Sequence, residues 1–390
     1  MIANSFILIV LLILLPDISI YQYYLRRSEV SKWVKILWWG QTIVMLASTV
    51  LLANTRDFTP HPQTPLNIFL FIVGVYLIPK MLWTFSTSIG RFLQKRFHGK
   101  HNWGSVLGGG LALLSIYVTI YGSTIGFYKF EIRRVDYVSA DLPKGFDGYR
   151  IVLFSDAHVG SYEKDSQLLR SVVDSVNALQ PDVVFFLGDL QNTQPEEIAV
   201  HQSVLSQIKA PAGVYSILGN HDYSNYIGSS REEKMVSERE TIAMERQMGW
   251  KLLLNEHTML YHGGDSIALA GIEGNEENDP EAQDHGWGIF EKAIEGIPEG
   301  MFTIMLMHNP EHWDIDIIPN TNIQLSLSGH THGGQINLFG LTTTTFNYPE
   351  DNGMYERDGQ HLFVTVGLGA LIPLRFGVTG EVVLLTMHRK

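Results

Sequence analysis

The segment 150-RIVLFSDAH-158 decides the fold class, because a compact apolar run ends abruptly in an aspartate and a histidine. A short, unbroken run of β-branched and large apolar residues reads as a strand buried on both faces. The pattern recurs at 182-DVVFFLG-188, 213-GVYSILG-219, 266-SIALAGIE-273, 302-FTIMLMH-308, 323-IQLSLSG-329 and 361-HLFVTVG-367. Between the first two runs, Leu168, Leu169, Val172, Val173 and Val176 share one face of a helix over about 166–179, and Pro181 follows its end. Another helix is expected after Pro195, and a highly charged one over about 231–248. Buried strands alternating with helices, then a strand-richer part, argue for an α/β layered sandwich. In such sheets ligands gather at the carboxyl ends of the strands.

Those ends are rich in donors. The first presents Asp156 and His158, the second Asp189, the third Asn220, His221 and Asp222. The run 302–307 leads into His308, and the run 323–328 into His330 and His332. Carboxylate, amide oxygen and neutral imidazole suit Mn, Fe, Zn and related divalent ions. Singly, an aspartate after a strand is a helix cap as readily as a ligand. Five strand ends carrying donors together are hard to arrange for structural reasons alone, and they point to a metal site.

In the order Asp-x-His, Gly-Asp, Gly-Asn-His-Asp, His and Gly-His-x-His, the chain resembles the calcineurin-like metallophosphoesterases over about 149–387. The form 329-GHTHGGQ-335 is similar to the membrane-anchored bacterial branch. The resemblance implies a four-layer α/β/β/α sandwich and two divalent metal ions. One would be held by Asp156, His158 and His332, the other by Asn220, His308 and His330, with Asp189 bridging. It implies in-line attack on phosphorus by a metal-bridging hydroxide, the paired cations lowering the pKa of water toward about 7. His221 would contact the transition state and help protonate the leaving oxygen, oriented by Asp222. Asn220 would also face the phosphate. Arg375, after the turn at Gly367-Leu368-Gly369, is a candidate phosphate clamp, although Thr365-Val366 stands where relatives often carry a Ser-Arg pair.

The rest of the chain is of another kind. Residues 1–128 hold ten Lys and Arg against three acids, a balance of +7. Residues 129–390 hold eighteen against thirty-seven, a balance of −19. So acidic a domain is a poor nucleic-acid binder, which needs a basic face to displace phosphate counterions. Bound dications would reverse that sign inside the cleft. The chain has no cysteine, which excludes disulfides, thiolate ligands and a cysteine nucleophile.

Crossing a bilayer takes about 20 mostly apolar residues. Residues 36–53 and 102–128 meet this without a charge. Residues 2–24, containing Pro16 and Asp17, and 66–88, containing Lys80, make two further candidates. A charge is accommodated there by snorkelling or by a neighbouring helix. The remaining polar span residues read as helix–helix hydrogen bonding, and Gly108-Gly109-Gly110 as a place where helices approach closely. Four spans follow, with no basic leader or cleavage site of a signal peptide. The connections carrying Arg26, Arg27, Lys32 and Lys35, and Arg91, Lys95, Arg96 and Lys100, outweigh the one with Arg56 and Asp57. Short basic loops stay cytoplasmic, so the C-terminal domain is expected to be extracytoplasmic, in spite of Lys129, Arg133 and Arg134.

The expected layout is a membrane anchor over 1–128, a lead-in over 129–148 and a catalytic domain over 149–390. The protein would be an integral protein of the inner or cell membrane, hydrolysing a phosphoester or pyrophosphate, with a lipid-linked substrate suggested by the tether. The contrasting class is a catalytically silent membrane sensor or scaffold, which ligand loss would mark. No ligand position of the motif series is lost here. Transport would need a path of ionisable groups in the spans, which the sequence does not offer. The acidic stretch from Glu273 to Glu281 reads as a solvated loop rather than a calcium site.

Overall fold

A computed structural model describes residues 6–26, 28–55, 64–226, 230–274, 288–345 and 347–390. Arg27, Arg56 and Asp57, and the acidic stretch beyond Gly274, lie outside the described residues. The chain divides into two compact units, Met1–Ile125 and Gly126–Lys390.

The first unit contains four helical stretches long and apolar enough to cross a membrane: Phe6–Leu25, Lys32–Asn54, Pro65–Arg96 and Trp103–Gly126. The third combines α3 (Thr64–Ile72) and α4 (Ile78–Arg96) through a widened turn at Val73–Leu77. Pro79 follows at once, and a proline that cannot donate to the preceding turn is a usual cause of such widening. Of the three glycines at 108–110, Gly108 makes the close approach. A Cβ there would stand 2.9 Å from that of Ser86, whereas Gly109 and Gly110 have nothing within 4 Å. Asp17 in α1 (Phe6–Ile20) is fully buried and pairs with Lys80 at 2.7 Å. Of the two ways to accommodate these charges, the neighbouring helix is the one used.

The second unit holds two six-stranded sheets. The first runs β1 (Phe130–Ser139), β14 (Gly380–Arg389), β2 (Arg150–Phe154), β3 (Val183–Phe186), β4 (Val214–Ser216) and β5 (Lys251–Leu252). The second runs β12 (Gly353–Arg357), β13 (Gln360–Val364), β9 (Leu325–Ser328), β8 (Thr303–Leu306), β7 (Asp265–Gly271) and β6 (Glu256–His262). Side chains alternate between faces along a strand, and the cores follow that period. Val152, Phe154, Val184 and Phe186 pack under helix α6 (Gln167–Ala178) with Leu169, Val172 and Val176. Ile151, Leu153, Val183 and Phe185 turn the other way, onto Leu269, Ile304, Leu306 and Leu327 of the second sheet. The outer face of that sheet is covered by Phe290, Ala293, Trp313 and Ile317. Each fully buried side chain of this size contributes about 1.5–3 kcal/mol. The result is the expected α/β/β/α layering.

The segment expected as a lead-in differs. Phe130–Ser139 is an edge strand, parallel to β14 in register from Phe130–Gly380 to Ser139–Arg389. Its charges at Glu131, Arg133, Arg134 and Asp136 break the apolar run, as is usual for an edge that must not recruit another chain.

Candidate metal centre

Both sheets deliver donors to one cleft because β2, β3 and β4 are mutually parallel, as are β7, β8 and β9. Their carboxyl ends therefore open on the same side of each sheet. Five of the donor residues sit in the left-handed backbone region: Asp156 (φ 51°), His158 (44°), Asp189 (59°), His330 (71°) and His332 (52°). Non-glycine residues hold such conformations only where the surroundings over-determine them, and they cluster at functional sites. Gly367, with φ 67°, explains the nearby glycine turn, since a Cβ there would come 2.7 Å from that of Asp156.

Three overlapping groups of donor atoms result: Asp156, His158 and His332; Asp189, His308 and His330; and His158, Asp189 and His221. Within each, the atoms lie within 4.8 Å of one another, close to the spread that bonds of about 2.1 Å permit. Asp189 Oδ2 is 3.1 Å from His308 Nε2 and 3.6 Å from His158 Nε2, so one carboxylate faces both flanking groups. His332 Nε2 is 3.4 Å from Asp156 Oδ1 and 3.3 Å from His158 Nε2. Asn220 Oδ1 lies 3.1 Å from His330 Nδ1 and joins the second cluster.

The chemistry of this set fits divalent cations. Asp156 Oδ1 is buried without a hydrogen-bond partner among the described residues, a costly state unless something else engages it. His308 Nδ1 is 2.7 Å from the Leu187 carbonyl. A carbonyl only accepts, so Nδ1 carries the proton and Nε2 is turned toward Asp189. Burial, and next the His221 ring, hold His158 well below the usual imidazole range. Burial and then Arg375 do the same for His332. Burial and His308 bring His330 down to about 4. These rings are neutral at physiological pH, with lone pairs to give. Burial would raise Asp189 and lower His308, but their mutual attraction wins. The carboxyl is held well below its ordinary value and the imidazole is pushed up to about 10, so that the proton on His308 Nε2 occupies the place beside Asp189 that a cation would take.

The site residues expected from sequence are not all used as expected. The seven proposed ligands come together. His221 stands against them, its backbone N–H donating to Asp189 Oδ1 at 2.9 Å. Asp222 does not orient the His221 ring. Its carboxylate accepts from the backbone N–H groups of Asp189 (2.7 Å), Leu190 (3.0 Å), Gln191 (3.2 Å) and Gly219 (2.9 Å), bracing one ligand turn against the next. The ring is held instead by the Asn192 carbonyl, 2.6 Å from Nδ1, and by stacking on Tyr226. Arg375 is a second correction. It is fully buried, and its guanidinium donates to the carbonyls of Val366 (2.8 Å), Gly367 (3.3 Å) and Gly369. A clamp must reach the substrate, and this side chain ties down the glycine turn. Tyr226, which accepts from Asn220 Nδ2 at 2.7 Å, and Tyr348, 3.0 Å from His330 Nε2, were not foreseen. Tyr226 lies six positions past Asn220, the one local cue available; Tyr348 offers none.

Comparison with known proteins agrees with this geometry. Residues 149–334 match the family model described as calcineurin-like phosphoesterase. Residues 3–127 match one described as probable calcineurin-like phosphoesterase, transmembrane domain. An uncharacterized metallophosphoesterase of Bacillus subtilis (strain 168) is 31% identical over 258 residues, covering 64% of this chain and 82% of that one. A transmembrane protein with metallophosphoesterase domain from Danio rerio is 32% identical over 69% of this chain, which spans only 60% of that relative. An uncharacterized metallophosphoesterase of Helicobacter pylori (strain J99) is 26% identical over 100% of this chain and 99% of its own. The chain belongs to the calcineurin-like phosphoesterases. It is an integral membrane member, with a four-span domain ahead of its phosphoesterase domain.

Proposed function

We propose that the protein is a membrane-anchored, two-metal phosphoesterase that hydrolyses a phosphoester or pyrophosphate bond. One observation carries the reading: the Asp189 carboxylate faces both His158 and His308, each within its own donor group. Two cations close together need a shared anion, and Asp189 would supply it. Asp156, His158 and His332 would hold one ion, and Asn220, His308 and His330 the other. Mn, Fe or Zn suits this donor set. When bound, such a pair supplies a water ionised near neutral pH and stabilises charge on the phosphoryl oxygens.

The chain's own groups do the rest. His221 Nδ1 keeps its proton on the Asn192 carbonyl, leaving Nε2 to exchange a proton with the leaving oxygen. Neutral Asn220 in place of a further acid leaves the cleft net positive toward phosphate. Basic residues Arg26, Lys32 and Lys35, and Arg91, Lys95, Arg96 and Lys100, favour cytoplasmic placement of the first and third connections. That puts the phosphoesterase domain outside the cytoplasm of an inner or cell membrane. The tether favours a lipid-linked ester as substrate.

The test is elemental analysis and hydrolysis by the full chain in detergent, with Mn²⁺, on lipid-derived and soluble esters. The expected result is transition metal near two per chain and hydrolysis lost in Asp189→Asn together with the metal. Absence of metal from active protein would overturn the reading. Equal turnover of both ester types would remove the argument from tethering.

A further inference from the structure

Between α4 and α5 (Trp103–Tyr121) the membrane unit carries a concavity of about 660 Å³, within the ~300–1,000 Å³ range of small-molecule sites. It exists because the two helices cross on small residues. A Cβ on Gly90 would stand 2.6 Å from the Cα of Gly104, and one on Gly108 would stand 3.0 Å from the Cα of Trp83. The floor is therefore almost bare backbone, and Phe85, Ile89, Leu93, Leu107 and Leu111 form its walls.

The groove extends along α4 from Leu82 to Phe97. At 1.5 Å per residue that is roughly 22 Å, enough to run from near the bilayer centre to the head groups, about 15 Å away. Phe97 and Trp103, 71% and 72% exposed, flank the outer end, where aromatic side chains mark the head-group level. The mouth carries Gln94 and His101. Arg96, in the last turn of α4, lies 5.7 Å from the ring of the lining residue Phe97, the connection that follows holds His98 and Lys100, and residues 58–128 contain no acid at all. An apolar channel one leaflet deep thus opens beneath a cluster of cations. A free anion would find no use for the channel, and an uncharged lipid none for the cations.

We infer that this groove binds one acyl chain of an anionic phospholipid, with the lipid phosphate held by Arg96, Lys100 and His101. Clustered basic residues beside spans select anionic head groups, each worth about fivefold in affinity. The site lies wholly within the four-span unit and is independent of the phosphoesterase reading.

The test is native mass spectrometry of the full chain released from nanodiscs of equal phosphatidylglycerol and phosphatidylcholine. The wild type is expected to retain phosphatidylglycerol preferentially. Arg96→Ala with Lys100→Ala should reduce that preference by roughly 25-fold. Lys32→Ala with Lys35→Ala, which removes the same charge from another connection, should leave it unchanged. Leu107→Trp, at a 62% exposed wall position, should reduce retention of both lipids by filling the channel, with helix content as the folding control. Equal retention of the two lipids by the wild type would overturn the proposal. So would an equal loss in both basic pairs, which marks diffuse surface charge, or undiminished retention in a folded Leu107→Trp.

Discussion

Asp17 and Lys80, on the first and third membrane stretches, form an ion pair at 2.7 Å across 63 positions of sequence. Thr42 and Gln41 of α2 (Lys32–Asn54) donate to the other carboxylate oxygen at 2.7 and 2.9 Å, and Lys80 also sits 4.0 Å over the Tyr76 ring. Three of the four stretches thus meet at one polar node inside an apolar unit. Removing one partner strands a buried charge, which costs about 3–5 kcal/mol, whereas removing both is far milder. Lys80→Met is therefore expected to lower the thermal unfolding midpoint of the detergent-solubilised chain markedly. Adding Asp17→Asn should recover most of the loss. A Lys80→Met chain that unfolds with the wild type would show the node to be dispensable.

His221 poses a sharper question, because its ring shares a donor group with His158 and Asp189 yet is tied by Nδ1 to the Asn192 carbonyl. A ligand and a proton donor differ in what their loss takes away. His221→Ala is expected to keep its metal and to lose about 10²–10⁴-fold in kcat, the usual size of an acid–base contribution. Loss of one equivalent of metal in that variant would make His221 a ligand and remove it from proton transfer.

Arg375 has a buried guanidinium donating to the carbonyls of a glycine turn, and the turn packs on Asp156 through Gly367. Arg375→Met leaves those carbonyls without their donor, at roughly 1–3 kcal/mol each for buried groups. The expected outcome is a lower unfolding midpoint with the KM of the folded fraction little changed. A variant of wild-type stability with a raised KM would restore the phosphate-clamp role.

What the sequence made legible follows from range. Strands such as Val183–Phe186, buried on both faces, announce themselves as unbroken apolar runs, and the donors at their ends sit in local motifs. The strand Phe130–Ser139 was hidden because an edge tolerates Glu131, Arg133, Arg134 and Asp136, which break both the apolar run and any alternation. Whether Arg375 pointed into the cleft or under its own turn depends on the packing of Val366 and Gly369, which no local pattern encodes. Asp17 and Lys80 each looked like an isolated cost in an apolar helix, and only the fold reveals that they offset one another. Asp222 was misassigned for a related reason. The family resemblance paired it with the His221 ring, while the turn sends the carboxylate back to the N–H groups of Asp189 and Leu190.

Glu245 gives the last test, on stability rather than turnover. It lies in α7 (Arg231–Gln247), is fully buried, and accepts from Ser216 Oγ of β4 at 2.6 Å. Burial, and next the Asp222 charge, push its carboxyl well above the ordinary value against the pull of Ser216. The folded chain therefore keeps Glu245 protonated at a pH where the unfolded chain, titrating near ~4.3, has lost that proton. Folding takes up a proton in this window, so stability falls as pH rises from about 4.3 toward the folded-state pKa. Glu245→Gln keeps an oxygen for Ser216 and cannot ionise. Its midpoint should match the wild type near pH 4 and exceed it at pH 7, the gap opening by at most ~1.4 kcal/mol per pH unit. A gap that stays constant between those two pH values would mean that Glu245 does not exchange its proton on unfolding.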